Sequence, residues 1–576
     1  FTFFSFTKAA EGKPNIILIM TDDQGYGDFS FTGNPVVKTP NIDRLSQECI
    51  LLTDFHAAPM CTPTRGQLMT GIDALYNGAI SVSSGFSFVY PEIPMMPEIL
   101  NEAGYTSAIF GKWHLGDNYP FRPMDNGFDQ AIWHKGGGIN STSDYWFNDY
   151  YDDKYWHNDT LKQYQGYCTD VWFCEAMKWM KSCHEQGSPF FAYISTNAPH
   201  WPYFVEGEYR EPYDSLNHNL ASYFGMIANI DKNMGRLDSM MEATGISENT
   251  IMIFLTDNGG IIGTSLYNSG MRGKKRSLYE GGHRVPCIIR YPEGNLQSPA
   301  RIHDLIKVQD LLPTLLDLCQ IKYNQAFDGI SIADRLRGKE QDNLKNRIAV
   351  VQYGAKAGQS LELPVKHDAC VMWGKWRLVR NRELYNIEND PGQNRNVYTE
   401  HPEIVRKLSE FYDQWWTHAE PLVYNRFNHI HVGSENESPT ILTSHDWMSI
   451  LTSVQPHVRK GFNRTGPWNI FVEEAAKYKI RLYRWPEESG LKLCEKATEY
   501  VGFDGVYPEG IALPIAHANL KIGDQEYTMP VSPADTCAVF EVNLPVGNTR
   551  LQTFFYDNQM NQLSGAYFVY LEKIQD

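Results

Sequence analysis

Short apolar runs recur along the first half of this chain and alternate with longer segments in which apolar residues return every three or four positions. The short runs have the length of strands, and their lack of polar positions is typical of strands buried on both faces of a parallel sheet. We expect four such strands, at residues 15–20, 106–110, 189–194 and 250–255.

Residues 223–241 show the helical period most clearly. Their apolar positions follow the spacing of an amphipathic helix, at Tyr223, Phe224, Met226, Ile227, Ile230, Met234, Leu237 and Met241. Strands that alternate with helices predict an α/β fold in which helices cover both faces of a central sheet. We assign this fold to residues 15–345.

The pattern changes near residue 346. Residues 373–380 and 383–387 are typical of a hairpin, and the Asn-Asp-Pro-Gly sequence that follows is typical of a turn. A helix is predicted over residues 400–418, with Ile404, Leu408, Phe411 and Trp415 on one face. We therefore expect a small C-terminal α+β subdomain at residues 346–424.

From residue 425 onward, short alternating runs such as residues 480–485 and 550–555 are separated by Gly and Pro. This pattern predicts an appended antiparallel β-sandwich over residues 425–576. Most of its aromatic residues are expected in the core of the sandwich, and a carbohydrate-binding role for the module is an open alternative.

Composition limits the classes of function. A chain of 576 residues is too long for one hydrophobic core, and 42% hydrophobic with 21% charged residues is ordinary for a globular protein. The net charge of -17 argues against a general nucleic-acid-binding or polyanion-binding surface, so an anionic substrate needs a local basic pocket. No apolar run approaches the roughly 18 residues of a membrane span.

The N-terminal residues 1–14 are rich in Phe and contain the small residues Ala9 and Ala10. They are interpreted as the end of a secretory signal, which predicts a periplasmic or secreted protein, and the alternative is an expression remnant or a loose arm. The ten cysteines do not decide the compartment, because Cys168, Cys174 and Cys183 lack the paired spacing of a zinc site. Most cysteines are expected to be small buried apolar residues.

Polar side chains follow two of the predicted strands directly. Asp22 and Asp23 come after the first, and Asp257 and Asn258 come after the last. Ligands gather beyond the carboxyl ends of strands in such sheets, and three carboxylates with one amide suit Ca²⁺ or Mg²⁺. For any one of these residues alone, a helix cap or a turn is the simpler explanation.

Residues 61–66, Cys-Thr-Pro-Thr-Arg-Gly, resemble the signature of type I sulfatases. Three further segments resemble that family in the same order: 111–116 (Gly-Lys-Trp-His-Leu-Gly), 197–202 (Asn-Ala-Pro-His-Trp-Pro) and 272–282, which ends in Leu-Tyr-Glu-Gly-Gly. The resemblance implies an alkaline-phosphatase-like fold. It also implies that a formylglycine-generating enzyme, which reads Pro63 and Arg65, oxidises Cys61 to formylglycine, whose hydrate is the nucleophile.

The resemblance also implies a role for each site residue. Asp22, Asp23, Asp257 and Asn258 would bind the cation, usually Ca²⁺, and an oxygen of the modified Cys61 would complete its shell. Arg65 would stabilise the modified residue. Lys112 would contact a sulfate oxygen and the nucleophile, and His114 would be the base that breaks down the covalent intermediate. His200 would donate a proton to the leaving alcohol. Lys275 would bind the sulfate, and Lys274 is the alternative for that role.

Lys112 and His114 are two residues apart, so an extended segment would point both side chains the same way. A neutral-range pKa suits histidine to proton transfer, and the cation with the lysines and Arg65 would offset the charge on the sulfuryl oxygens.

The substrate is expected to be a sulfated polysaccharide or oligosaccharide. Residues 133–151 are rich in Gly and aromatic residues, and exposed rings there would suit stacking on sugars, whereas a packed surface loop is the alternative. Three rival functions stay open: a phosphodiesterase or phosphonate monoester hydrolase of the same superfamily, a binding protein whose Cys61 is never oxidised, and an enzyme with a plain cysteine nucleophile, whose pKa two histidines would lower.

Overall fold

The computed structural model describes residues 12–352, 356–357 and 361–574. Residues 1–11, which carry most of the predicted signal remnant or arm, lie outside the described residues. Within the described ranges, no helix is both long enough and apolar enough to cross a membrane.

A central sheet of eleven strands occupies the N-terminal part of the chain. Its strands are β1 (Asn15–Thr21), β2 (Ile50–His56), β3 (Thr106–Lys112), β4 (Gln130–His134), β5 (Lys154–His157), β6 (Thr160–Gln163), β7 (Phe190–Ser195), β8 (Thr250–Thr256), β9 (Arg284–Arg290), β10 (Ala300–Ile302) and β11 (Ile306–Lys307). The spatial order is β10-β2-β9-β8-β1-β7-β3-β4-β5-β6, with β11 beside β2.

The four apolar runs become the middle of this sheet, as β8, β1, β7 and β3 side by side. β1 pairs in parallel with both β7 and β8, whereas β9 runs antiparallel to β8 and β2. The sheet is therefore mixed, and the four strands that the apolar runs predicted are buried on both faces.

Helices cover both faces of the sheet. They are α1 (Pro40–Glu48), α2 (Cys61–Thr70), α3 (Ala74–Asn77), α4 (Met96–Glu102), α5 (Cys168–Glu185), α6 (Gly207–Arg210), α7 (His218–Thr244), α8 (Glu280–His283), α9 (Leu311–Leu318), α10 (Ala333–Leu336) and α11 (Asp342–Lys345). Alternate residues of β1 enter opposite cores: Ile17 packs with α5 and α7, and Ile16 packs with α4 and α9. The helix predicted over residues 223–241 lies within α7.

A second, four-stranded antiparallel sheet follows. It is built from β12 (Ile348–Gln352), β15 (Ala369–Trp373), β16 (Trp376–Val379) and β17 (Glu383–Asn386), while β13 (Lys356–Ala357) and β14 (Leu361–Glu362) form a short ribbon. The predicted hairpin is the β16–β17 pair.

The helix that packs on this sheet, α12 (Pro402–Asn425), continues beyond the predicted end at residue 418. Its buried face is also one position away from the expected one, because Val405, Leu408, Tyr412 and Trp416 are buried, and Ile404, Phe411 and Trp415 are only partly buried. The apolar stripe is broad, so the sequence pattern alone did not decide which edge faces the sheet.

The C-terminal part contains helix α13 (Gln455–Arg459), two packed sheets and a separate two-stranded ribbon. Its strands are β18 (Ile430–Val432), β19 (Thr440–Thr443), β20 (Trp468–Val472), β21 (Ala476–Tyr483), β22 (Tyr500–Val501), β23 (Val506–Tyr507), β24 (His517–Ile522), β25 (Gln525–Pro530), β26 (Ala538–Leu544), β27 (Gly547–Tyr556), β28 (Gln562–Ser564) and β29 (Phe568–Lys573). The ribbon is the β22–β23 pair. One sheet has the order β18-β20-β27-β24-β25, with β28 beside β27, and the other has the order β19-β29-β21-β26. Strand pairs in both are antiparallel except β18–β20, which confirms the predicted β-sandwich.

Candidate active site

The acidic residues after β1 and β8 meet because the two strands are parallel neighbours in equal register. Thr21 lies opposite Thr256, so Asp22 and Asp257 leave the sheet side by side. The backbone N–H of Asp23 donates to Asp257 Oδ1 at 3.1 Å. Asp23 has a left-handed backbone with φ 62°, a conformation that Asp tolerates better than most residues. The strand-end cluster predicted from the sequence is therefore present.

Cys61 is the first residue of α2, and it is buried beside this cluster. Its thiol donates to Asp22 Oδ1 at 3.3 Å, and Lys275 Nζ donates to its Sγ at 3.1 Å. Lys274 is exposed, so the structure brings Lys275 rather than Lys274 to the cysteine. The Thr64 hydroxyl fixes the start of the helix against β8, since it donates to the carbonyl of Asp257 at 2.6 Å.

The cluster fits a divalent cation. Asp22, Asp23, Cys61 and Asp257 each offer one ligand atom, and these four atoms lie within 4.8 Å of one another. Asn258 adds a second kind of evidence, because its Oδ1 is buried without a hydrogen-bond partner while its Nδ2 donates to Asp23 Oδ1 at 2.8 Å. A hard oxygen donor left unpaired next to three carboxylates is the donor set that Ca²⁺ and Mg²⁺ prefer.

The charges of the site balance pairwise. Six buried side chains form three ion pairs, Arg65 with Asp257, Lys112 with Asp22 and Lys275 with Asp23. Burial and the neighbouring charge of Asp22 raise the pKa of Asp257, against the opposing charges of Arg65 and Lys112. With three carboxylates and three cationic groups, the side chains alone are close to neutral, and a divalent cation would leave positive charge for an anionic ligand.

The surroundings of Cys61 do not suit a plain thiolate nucleophile. Burial raises the pKa of the thiol, and the negative charges of Asp22 and Asp257 raise it further. The expectation that two histidines would lower this pKa is therefore wrong: the acidic cluster, not an imidazole, dominates the field at the sulfur.

His114 lies in the site, although not on the extended segment that we predicted. Strand β3 ends at Lys112, and His114 has φ 58°, so the chain turns there. The imidazole Nε2–H donates to the carbonyl of Val82 at 2.8 Å, which leaves Nδ1 as an acceptor, buried and without a partner. Burial, the Lys112 charge and the neighbouring His445 hold the pKa of His114 well below its usual range. This neutral imidazole is equipped to accept a proton.

His200 also lies at the acidic cluster, in the loop that follows β7. Its Nδ1–H donates to the carbonyl of Trp201 at 2.7 Å, and its Nε2 lies 3.6 Å from Asp23 Oδ2. Burial lowers the pKa of His200 to about 4, because the charges of Lys275 and Lys112 oppose the effect of Asp23. Nε2 is thus the ring atom that faces the site.

Three large rings of the aromatic insert are packed, and Phe147 is exposed. Trp133, Trp146 and Tyr150 are buried, so our expectation of exposed rings is wrong for them. Trp146 packs edge-on against Trp485 of the β-sandwich, with ring centroids 5.6 Å apart. This ring lies at the junction between the two parts of the chain, which a pattern within one segment does not reveal, whereas Trp133 and Tyr150 belong to the cores of the α/β part.

The glycines of this insert line the site instead. A Cβ atom at Gly137 would lie 2.9 Å from Nε2 of His114, and one at Gly138 would lie 3.3 Å from Nδ1 of His200. The backbone at these two positions therefore approaches both imidazoles as closely as glycine permits.

His445, which the sequence did not indicate, belongs to the same site. It follows β19 of the β-sandwich, it is buried, and its ring contacts that of His114. Its Nδ1 has no hydrogen-bond partner. No motif marks His445, and only the packing of the module against the catalytic part identifies it.

Fold and site agree with one class: a helix-covered mixed sheet, with Cys61 at a helix start beside an acidic cluster at the strand ends, is an alkaline-phosphatase-like fold. The profile of the sulfatase family matches residues 14–321 of the 576, more than half of the chain. The chain belongs to the sulfatase family. A profile described as N-sulphoglucosamine sulphohydrolase, C-terminal, matches residues 272–415.

Three relatives illustrate the similarity. N-acetylgalactosamine-6-sulfatase of Rattus norvegicus is 31% identical over 352 residues, which are 56% of this chain and 66% of that protein. An ulvan-active sulfatase of Formosa agariphila is 28% identical over 410 residues, 67% of this chain and 77% of that protein. The crystal structure of Ps i-CgsB in complex with k-i-k-neocarrahexaose is 26% identical, with a TM-score of 0.63 over 70% of this chain and 92% of that chain. The chain thus spans about two thirds of the length of the rat relative.

Proposed function

We propose that this protein hydrolyses sulfate esters of a polysaccharide or its oligosaccharides, with a formylglycine made from Cys61 as nucleophile and a bound divalent cation, Ca²⁺ or Mg²⁺. One observation carries the proposal: Cys61 Sγ lies within 4.8 Å of carboxylate oxygens of Asp22, Asp23 and Asp257, and 3.1 Å from Lys275 Nζ. The proposed nucleophile, the carboxylates that would hold the cation and the Lys275 ammonium thus converge on one buried point.

Asp22, Asp23, Asp257 and Asn258 would hold the cation, which supplies Lewis-acid stabilisation to the sulfuryl oxygens. Lys112 and Lys275, which pair with Asp22 and Asp23, would turn part of their charge to the sulfate once the carboxylates bind the cation. Arg65 holds Asp257 in place through a 3.0 Å contact and so orients one wall of the cage.

The two imidazoles would divide the proton transfers. His114 has a free acceptor nitrogen, and its lowered pKa keeps the ring neutral, so it could accept the proton from the oxidised side chain at position 61. His200 faces the cluster through Nε2, so it suits the donor to the leaving oxygen, and the negative charge of a bound sulfate ester would favour its protonated form.

The choice of a sugar substrate is supported by the relatives, whose names refer to N-acetylgalactosamine 6-sulfate and ulvan, and by the oligosaccharide in the Ps i-CgsB crystal. A periplasmic or secreted location and maturation by a formylglycine-generating enzyme are parts of the same proposal.

The experiment is a comparison of the wild type with Cys61→Ser. Conversion of Cys61 lowers the intact mass by about 18 Da, and only the converted protein should release sulfate from carrageenan, ulvan, fucoidan or glycosaminoglycan fragments. Phosphodiesters and phosphonate monoesters are assayed in parallel. Faster turnover of these esters than of every sulfate ester would replace the proposal with the phosphodiesterase alternative, and an unmodified, inactive Cys61 protein would reject it.

A further inference from the structure

A cavity of about 350 Å³ lies where the catalytic part meets the β-sandwich; we call it the junction cavity. One wall comes from residues 117–161 and the other from residues 441–443, 486–488 and 568–570. Its lining combines rings, hydroxyls and carboxyls, for example Thr142, Tyr145, Trp156, Thr443, Glu488 and Tyr570. That mixture is typical of a site for a polar ligand with apolar faces, and the volume lies in the range of small-ligand pockets.

Hydrogen bonds across the junction keep the cavity in shape. The hydroxyls of Ser143 and Thr443 lie 2.8 Å apart, and the backbone N–H of Trp146 donates to Glu488 Oε1 at 3.2 Å. The backbone N–H of Thr142 donates to the carbonyl of Ser453 at 3.0 Å. Two of these contacts join the two walls directly, and the third ties the first wall to Ser453 of the β-sandwich part, so the cavity is preformed and does not need a ligand to assemble it.

The lining does not favour an anion. Lys135 is the one basic side chain among the described lining residues, and it is already engaged, with its Nζ 3.7 Å from a Glu437 oxygen and 4.9 Å from the centre of the Trp156 ring. The lining also holds four carboxyl groups, Asp117, Asp144, Glu487 and Glu488; burial raises the pKa of Asp144 and Glu488, and Glu487 pairs with Arg481. A sulfate or carboxylate would therefore find no unpaired cation among these residues, whereas hydroxyl groups would find carboxyl oxygens.

Two chain segments lead from this cavity to the catalytic histidines. Lys135 lines the cavity, and Gly137, two residues further on, approaches the ring of His114. Thr443 also lines the cavity, and His445, again two residues further on, contacts the same ring. Two residues of chain span at most about 7 Å, so the cavity lies within a short stretch of chain of two residues that contact the ring of His114.

We propose that the junction cavity is a subsite for an uncharged, hydroxyl-rich sugar ring that neighbours the sulfated ring of the substrate. This proposal rests on the proposed function, since it assumes that the sulfated ring is bound beside Cys61. The β-sandwich is then part of the substrate site, and a substrate whose neighbouring ring carries its own sulfate is disfavoured.

The test compares the activity on an oligosaccharide with the activity on a small aryl sulfate, in Trp156→Ala and in a matched control, Trp373→Ala. Both residues are partly buried strand tryptophans under a lysine ammonium, but Trp373 lies in the separate four-stranded sheet with Lys407 at 3.4 Å. Kcat/KM is measured for the sulfated oligosaccharide with the fastest turnover and for a small aryl sulfate. The ratio of the two should fall about tenfold or more in Trp156→Ala and stay within twofold in Trp373→Ala.

Thr443→Val removes one hydroxyl and is a milder second variant in case Trp156→Ala does not fold. In this variant the ratio of oligosaccharide to aryl sulfate kcat/KM should fall about threefold. Calorimetric titration with the chemically desulfated oligosaccharide gives a readout that does not need turnover: the wild type should bind it, and Trp156→Ala should bind it about tenfold more weakly.

These two measurements separate the two proposals. If no sulfate ester is turned over but the desulfated oligosaccharide binds through Trp156, the proposed function fails and the sugar site stands. If oligosaccharide and aryl sulfate are affected equally, or the desulfated oligosaccharide does not bind the wild type, the subsite is overturned while the proposed function stands.

Discussion

The ring of His445 lies 6.0 Å from the ring of His114, centroid to centroid, although the two residues come from the β-sandwich and from the end of β3. Both hold the same loop. His114 donates to the carbonyl of Val82, and the carbonyl of His445 accepts from the backbone N–H of Ser84, each at 2.8 Å. The appended module is thus a structural part of the candidate active site.

His445→Ala should lower kcat by about tenfold, because the loop that orients His114 loses a packed neighbour. The pH profile distinguishes this from general destabilisation. The charge of His445 lowers the pKa of His114, so its removal raises that pKa, and the acid limb of kcat/KM against pH should move to higher pH. His418→Ala, at an exposed position of α12, is the control. An unchanged profile would contradict the role of His445.

The strand-end cluster could be predicted from the sequence because it needs only local patterns. Each acidic pair follows an unbroken apolar run, and parallel neighbours in a sheet must end at the same edge, so Asp22 and Asp257 meet. His445 and the burial of Trp146 could not be predicted, since both depend on how the β-sandwich docks on the catalytic part. The turn at His114 was missed because the family-like motif carries no information on backbone φ.

Lys275→Ala should reduce kcat/KM for sulfate esters by at least about a hundredfold, the usual effect of removing a charged group that contacts the reacting atoms. Lys275 is the lysine that contacts both Cys61 and Asp23, whereas its neighbour Lys274 is exposed. Lys274→Ala, measured by the same steady-state assay, should therefore stay within about twofold of the wild type. A larger loss in Lys274→Ala than in Lys275→Ala would show that the sulfate ligand is misassigned.

Calcium should stabilise the folded protein, and Asn258→Ala should weaken that effect. At a concentration one hundred times its Kd, a ligand that binds only the native state adds about 2.7 kcal/mol to the free energy of unfolding. Asn258 Oδ1 has no other partner, so its loss should raise the Kd for calcium by about tenfold or more.

The readout is the Tm in a chelator and along a calcium titration, which requires no turnover. Asn346→Ala, an exposed site after α11, controls for the loss of an amide. The same calcium response in Asn258→Ala and the wild type would remove Asn258 from the metal site.

Gly137→Ala should lower kcat by up to about a hundredfold with little change in Tm. The new Cβ would lie 2.9 Å from both Cε1 and Nε2 of His114, closer than real Cβ atoms come, so the imidazole or the loop must shift. A shift of about 1 Å in a catalytic group costs up to about a hundredfold in rate.

Gly138→Ala should have a smaller effect, because its Cβ would stay 3.3 Å from the ring of His200. Gly207→Ala, whose Cβ would meet its nearest neighbour at 3.9 Å, should behave as the wild type. Steady-state rates that fail to follow this order would show that the glycine loop does not set the position of the imidazoles.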